Sequence, residues 1–153
     1  MEEIIMNKPL IAIPIGDPAG VGPEITAMAL ADSKVTEAAR CIIVGDKKIM
    51  EQAVRITGAE LKVNVVKEPE EGIYEPGILN LIDLDNIDMD HFEFGKVSGM
   101  CGKAAYEYIA ESIRLANEGK ADAVATTPIN KEALKAGDIH FIGHTEIFGA
   151  LTG

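Results

Sequence analysis

Three short stretches carry residue types that could do chemistry on an anionic ligand. "IPIGDPAGVGPEI" (13–25) surrounds Asp17 with glycines and prolines directly after an apolar run. Glycine admits backbone angles that other residues avoid and proline fixes one, so such a loop is held in one shape. It reads either as a rigid strand-to-helix turn or as a wall that a ligand approaches at Gly20 and Gly22. In the second case helix-start N–H groups aim at an anion, and Asp17 contacts a cation, a hydroxyl or a lysine. "TTPINK" (126–131) gathers two hydroxyls, the Asn130 amide and the Lys131 ammonium. Lys131 could pair with a phosphate or carboxylate as a point charge. The plainer alternative is a solvated lysine, which a helix start disfavours because the cation opposes the helix dipole. "FIGHTEIF" (141–148) sets His144 and Thr145 between apolar flanks, as suits a pocket wall. His144 could hydrogen-bond a carboxylate or hydroxyl, and Thr145 could reach a phosphate oxygen.

Other chemistries find less footing. The glycines of 16–22 do not match the dinucleotide fingerprint, and no Gly-Lys-Ser/Thr closes the loop as in a P-loop. Gly143 and the following "TEIF" argue against a shared helical face for His140 and His144, so no metal site is assigned to this chain. His91 and His140 read as surface or loop residues. No Ser-His-Asp or Cys-His set assembles, and no catalytic residue is assigned. Cys101 sits near a helix start, where a thiol pKa can fall, but burial on an apolar stripe is the stronger reading.

These stretches need elements to position them. "PLIAIPI" (9–15), "RCIIVGD" (40–46) and "ADAVATTPI" (121–129) read as buried strands, with "LKVNVV" (61–66) and "ILNLIDL" (78–84) as further strands. A helix follows the first loop with Pro23 in its first turn. Others cover 47–58, closed by Gly58, the long stretch from Ser98 to Gly119, and about 130–136. In the long helix Cys101, Ala105, Tyr108, Ile109, Ile113 and Ala116 form one apolar stripe. Acid-, Pro- and Gly-rich residues from 67 mark a surface connection, and "DNIDMDHFEFG" a loop approaching another part of the molecule. The strand–helix rhythm predicts an α/β fold, a mostly parallel sheet with helices on both faces. Ligands of such sheets bind beyond the carboxyl ends of the strands, which selects the Gly16–Pro23 loop, Gly45-Asp46 and "TTPINK".

Composition narrows the class of ligand. A net charge of −11 argues against nucleic acid and against an anionic membrane surface, while leaving room for a local anion site. No segment approaches the roughly 18 apolar residues of a membrane span. The acidic start "MEEIIMNKPL" does not read as a signal peptide. Two cysteines, Cys41 and Cys101, are expected reduced, in a cytoplasmic protein.

Taken together and in order, "GDPAGVGPEI", "ATTPINKEAL" and "GHTEIF" resemble the 4-hydroxythreonine-4-phosphate dehydrogenase family of vitamin B6 (pyridoxine, pyridoxal phosphate) biosynthesis. "GKVSGMCGKAAYEYIAESIRLANEGKADA" is similar to that family's helix leading into a strand. The resemblance runs from about Pro9 to the last residue. It implies a three-layer α/β/α architecture similar to isocitrate and isopropylmalate dehydrogenases. It also implies oxidation of a phosphorylated hydroxy acid with NAD or NADP and a divalent metal ion, the β-keto acid then losing carbon dioxide. His144 and Thr145 take the family's substrate-binding roles; Lys131, Asn130 and Asp17 join them as substrate-binding candidates from the reading above. Metal ligands fall beyond this motif, so residues 1–153 correspond to the N-terminal portion of a family member, and the second half of the family fold is absent. Members form homodimers that share active-site residues. The fragment alone is expected to be inactive, with an open sheet edge and an uncovered apolar face. Related members act on D-threonate or D-erythronate 4-phosphate. A phosphate acyltransferase on a similar fold, or a non-catalytic substrate-binding fragment, are the alternative readings.

Overall fold

The computed structural model describes residues 8–141 and 143–153; the "MEEIIMN" start and Ile142 of "FIGHTEIF" lie outside the described residues. The strands are β1 (Leu10–Pro14), β2 (Arg40–Gly45), β3 (Lys62–Val66), β4 (Ile78–Asp83) and β5 (Ala123–Val124). They form one sheet in the order β3-β4-β2-β1-β5, every pairing parallel. The helices are α1 (Gly22–Ala31), α2 (Ser33–Ala38), α3 (Lys47–Thr57), α4 (Gly99–Asn117), α5 (Lys131–Ala136) and α6 (His144–Thr152).

The connections β1→β2 and β2→β3 run one way across the sheet, and β4→β5 runs back. Right-handed crossovers then put α1 and α3 on one face and α4 on the other. The packing agrees: α1 lies on α3, α4 lies on β1, β2 and β5, and α5 and α6 stack outside α4. This is the expected α/β architecture. The chain changes direction between β1 and β5, so the loops leaving those two strands splay apart there and leave a crevice.

Central strands carry the core. From Cys41 to Gly45 β2 is buried throughout, as is Leu79–Ile82 of β4, which fits strands covered on both faces. Local signals terminate the helices as read. Asp46 caps α3, its carboxylate accepting the N–H of Lys48 at 2.8 Å, and Gly58 closes that helix at φ 69°. Ser98 caps α4 by accepting the Cys101 N–H at 3.2 Å. The α4 stripe is wider than expected. Tyr108 and Leu115 pack into the main core while Ile109 and Ile113 face Ile147 of α6.

Three differences from the sequence reading have physical causes. The strand expected over 121–129 is regular only at Ala123–Val124. Beyond the Ala125 N–H to Ala12 carbonyl bond (3.0 Å), the next donor on β1 would be Pro14, which has none. The ladder stops, and the Thr127 hydroxyl takes the Pro14 carbonyl at 2.7 Å instead. The short α2 was not anticipated; Asp32 caps it by accepting the Lys34 N–H at 2.9 Å. Nor was α6, which makes helix of the stretch after Gly143. Val21, Ile25 and Met28 are exposed along α1, and Ala123, Ala125 and Thr126 line a β5 edge with no outer strand among the described residues.

Candidate functional site

The loop after β1 is joined to the loop after β5 by backbone contacts. The Asp17 N–H donates to the Pro128 carbonyl at 3.1 Å, and Gly16 lies beneath that carbonyl with φ +75°. A Cβ on Gly16 would fall 2.2 Å from the Pro128 oxygen, so glycine is required for the join. Gly22 answers to packing too: a Cβ there would lie 2.0 Å from the Ile15 carbonyl oxygen. This corrects the reading in which Gly22 bares the backbone to a ligand. Gly20 faces the crevice, where an added Cβ would meet nothing closer than the Asp17 carbonyl oxygen at 3.4 Å.

Two open depressions flank the Pro128–Ile129 wall, and the five candidates divide between them. Asp17 and Asn130 line the first, about 270 Å³, with Gly20, Val21, Gly95 and Lys96. Lys131, His144 and Thr145 line the second, about 610 Å³, with Gly143 and Glu146. Both open at the carboxyl ends of β1 and β5, the crevice that the topology defines. Asn130 spends its side-chain oxygen as the cap of α5, accepting the Ala133 N–H at 3.0 Å. That cap starts the helix at Lys131, and fully buried Ala133 and Leu134 seat α5 against α4. The fully buried Ile147 does the same for α6, bringing His144 and Thr145 opposite Lys131. Lys131 Cε lies 3.9 Å from where a Gly143 Cβ would be.

His144 holds the least satisfied polar atom of the second depression. Its Nε2 is buried with no hydrogen-bond partner among the described residues, and the ring bonds the backbone of Thr127. Burial pulls its pKa below the ordinary value, the Thr127 bond partly offsetting this. No side-chain cap hydrogen bond is made at the start of α6, which opens at His144 and Thr145. The Lys131 ammonium and the Thr145 hydroxyl can donate to an oxyanion, whereas neutral His144, its one N–H spent on the Thr127 backbone, can accept from a ligand hydroxyl at Nε2. Asp17 differs. It is 5% exposed, its Oδ1 accepts the Ala19 N–H at 2.8 Å, and burial raises its carboxyl pKa while that bond lowers it.

The third strand end expected to bind ligand does structural work instead. Asp46 is fully buried, caps α3, receives the Ile87 N–H at 3.1 Å and pairs with Lys48 at 3.2 Å. His91 and His140 are exposed, each beside an acid, Asp88 and Asp138. Cys41 and Cys101 are free and buried, and burial raises both thiol pKa values, which sets aside an activated Cys101. Among the described residues no three His, Cys, Asp or Glu side chains gather to hold a metal ion. Lys96 and Gly95 were not singled out from sequence. The signal was the "DNIDMDHFEFG" loop, which does reach across: the Gly95 N–H donates to the Ala19 carbonyl at 2.9 Å.

The fold and these depressions define a parallel α/β protein whose crevice opens where the strand order reverses. The chain belongs to the family described as pyridoxal phosphate biosynthetic protein PdxA, whose family model matches residues 37–153. It is 54% identical over 142 residues to a protein of Fusobacterium nucleatum named as a D-threonate 4-phosphate dehydrogenase, covering 93% of this chain and 43% of that one. A Clostridium botulinum protein of the same name is 51% identical over 149 residues, 97% of this chain and 45% of the relative. Among solved structures, a 4-hydroxythreonine-4-phosphate dehydrogenase from Burkholderia phymatum superposes with a TM-score of 0.92 at 43% identity, over 95% of this chain and 44% of that one. The chain thus spans less than half the length of these relatives. No described helix is long and apolar enough to cross a membrane.

Proposed function

We propose that this chain is the N-terminal part of a cytoplasmic dehydrogenase that oxidises a phosphorylated hydroxy acid, with NAD or NADP as hydride acceptor, a divalent metal ion, and decarboxylation of the product. Lys131 and Thr145 bind an anionic group of that acid, His144 accepts from one of its hydroxyls, and Asp17 and Asn130 border the adjoining part of the crevice. The observation that carries this reading is His144, its buried Nε2 unpartnered among the described residues, lining one depression with Lys131. A buried polar atom without a partner costs about 1–3 kcal/mol, which a ligand hydroxyl donating to it would recover. Relatives above 50% identity named for D-threonate 4-phosphate support that acid over 4-hydroxythreonine 4-phosphate as substrate.

The described residues do not fit the metal ion, since no ligand set gathers among them; its ligands belong to the length that the relatives have and this chain does not span. Nor does the first depression fit a dinucleotide pyrophosphate, because Asp17 puts a buried carboxylate in its wall. The contribution of these residues is to bind and orient the acid. In the full-length family protein a homodimer completes the site. Calorimetric titration tests the reading: D-threonate 4-phosphate binds, and D-threonate without its phosphate binds at least about tenfold more weakly, one lost charge-assisted contact. Equal affinities for the two would reject it.

A further inference from the structure

The first depression has the parts of an anion site and yet carries an acid. The ten-residue helix α1 begins at its rim with no side-chain cap on its first-turn N–H groups. Lys96 contributes an ammonium, paired with Glu93 at 2.8 Å where both are well exposed. Against these stands Asp17, 95% buried. Its Oδ1 closes the turn to Ala19, and its Oδ2 takes no hydrogen bond or ion pair among the described residues. The turn needs only one oxygen. Asparagine or serine would close it as well, without burying a charge. The second carboxylate oxygen is therefore surplus to the fold, and it lines a ligand-sized depression.

We propose that Asp17 is a specificity residue. It keeps phosphate and carboxylate groups out of the β1–β5 depression and reserves that space for an uncharged part of a ligand that donates a hydrogen bond, a hydroxyl or an amide N–H. A carboxylate with a vacant acceptor oxygen attracts such donors and repels anions, and discrimination of this kind is as much repulsion as attraction. The inference rests on the proposed function in one respect: the rejected anion goes to the Lys131–His144 depression on the other side of Pro128 and Ile129.

Inorganic phosphate is the probe, titrated into the nitrogen-labelled chain and followed by amide NMR shifts. In the wild type the amides of Gly20, Val21 and Gly95 stay in place. In Asp17→Asn, which retains the turn-closing oxygen, those amides move with phosphate. Asp17→Ser, whose hydroxyl can close the same turn, repeats the test should the first variant fold poorly. Equal movement at Gly20 and Val21 in wild type and variants would overturn the proposal, and so would stillness in both variants. The amides of Lys131, Gly143 and Thr145 read the proposed function separately: their stillness rejects the anion depression, while the Asp17 result is decided by Gly20, Val21 and Gly95 alone.

Discussion

Replacing Gly16 with alanine strikes the join on which both depressions depend. The residue sits at φ +75°, where a side chain costs about 1–2 kcal/mol. The new methyl would lie 2.2 Å from the Pro128 oxygen and 2.7 Å from the Thr127 hydroxyl, so the β5 loop must retreat by about 1 Å to reach ordinary contact. Such overpacking costs about 1–3 kcal/mol. The retreat also strains the Asp17 N–H to Pro128 carbonyl bond, about 1 kcal/mol. The loss is then about 3–6 kcal/mol, a large share of the roughly 5–15 kcal/mol that hold such a domain together. Gly58→Ala is the control. Its φ is +69°, but no atom lies within 4 Å of the added Cβ, so it loses only the backbone strain. Urea denaturation measures both as shifts in midpoint at constant slope. Equal losses at Gly16 and Gly58 would refute the tight β1–β5 join.

Three further outcomes follow from the packing and the titration. Ile147→Ala empties the fully buried contact between α6 and the Ile109–Ile113 face of α4; about 2–3 kcal/mol is lost and α6 amides exchange faster, and unchanged exchange there would contradict the tether. His144 has its pKa lowered by burial, so its neutral form is favoured in the fold. The stability of the wild type relative to His144→Gln is therefore constant above the ordinary value of 6.5 and falls as pH drops from there through the lowered folded value; a difference that grows on acidification would have the wrong sign. Cys41 and Cys101, buried with raised thiol pKa values, react with a thiol reagent only as fast as the chain opens, and a rapid native-state reaction of either would show otherwise.

Much of this architecture was legible in the sequence because the signals are local. Pro23 in a first turn, Gly58 as a left-handed cap and Ser98 as a helix start each act within a few residues. The buried run of β2 needs no knowledge of its neighbours. The parallel sheet followed from rhythm alone, and with it the strand ends at which the depressions open. What escaped depends on distant partners. "ADAVATTPI" reads as a long strand, yet its ladder is cut short by Pro14 on β1, more than 100 positions away in the chain. Asp46 looked as available as Asp17; Lys48, two positions on, and the Ile87 N–H that only the tertiary fold brings fill its oxygens. Ile147 and Leu151 carry a helical spacing in α6, but with Gly143 ahead of them and Gly149 between them the stretch read as pocket wall.

The central claim is that Lys131, His144 and Thr145 form one receptor for a phosphorylated hydroxy acid, with His144 Nε2 accepting from a ligand hydroxyl. Its most direct test is the affinity of D-threonate 4-phosphate for the wild-type chain, for His144→Ala and for His140→Ala. The account predicts binding weakened about tenfold or more in His144→Ala and unchanged in His140→Ala, whose ring is exposed and paired with Asp138. Equal affinity of wild type and His144→Ala would contradict it.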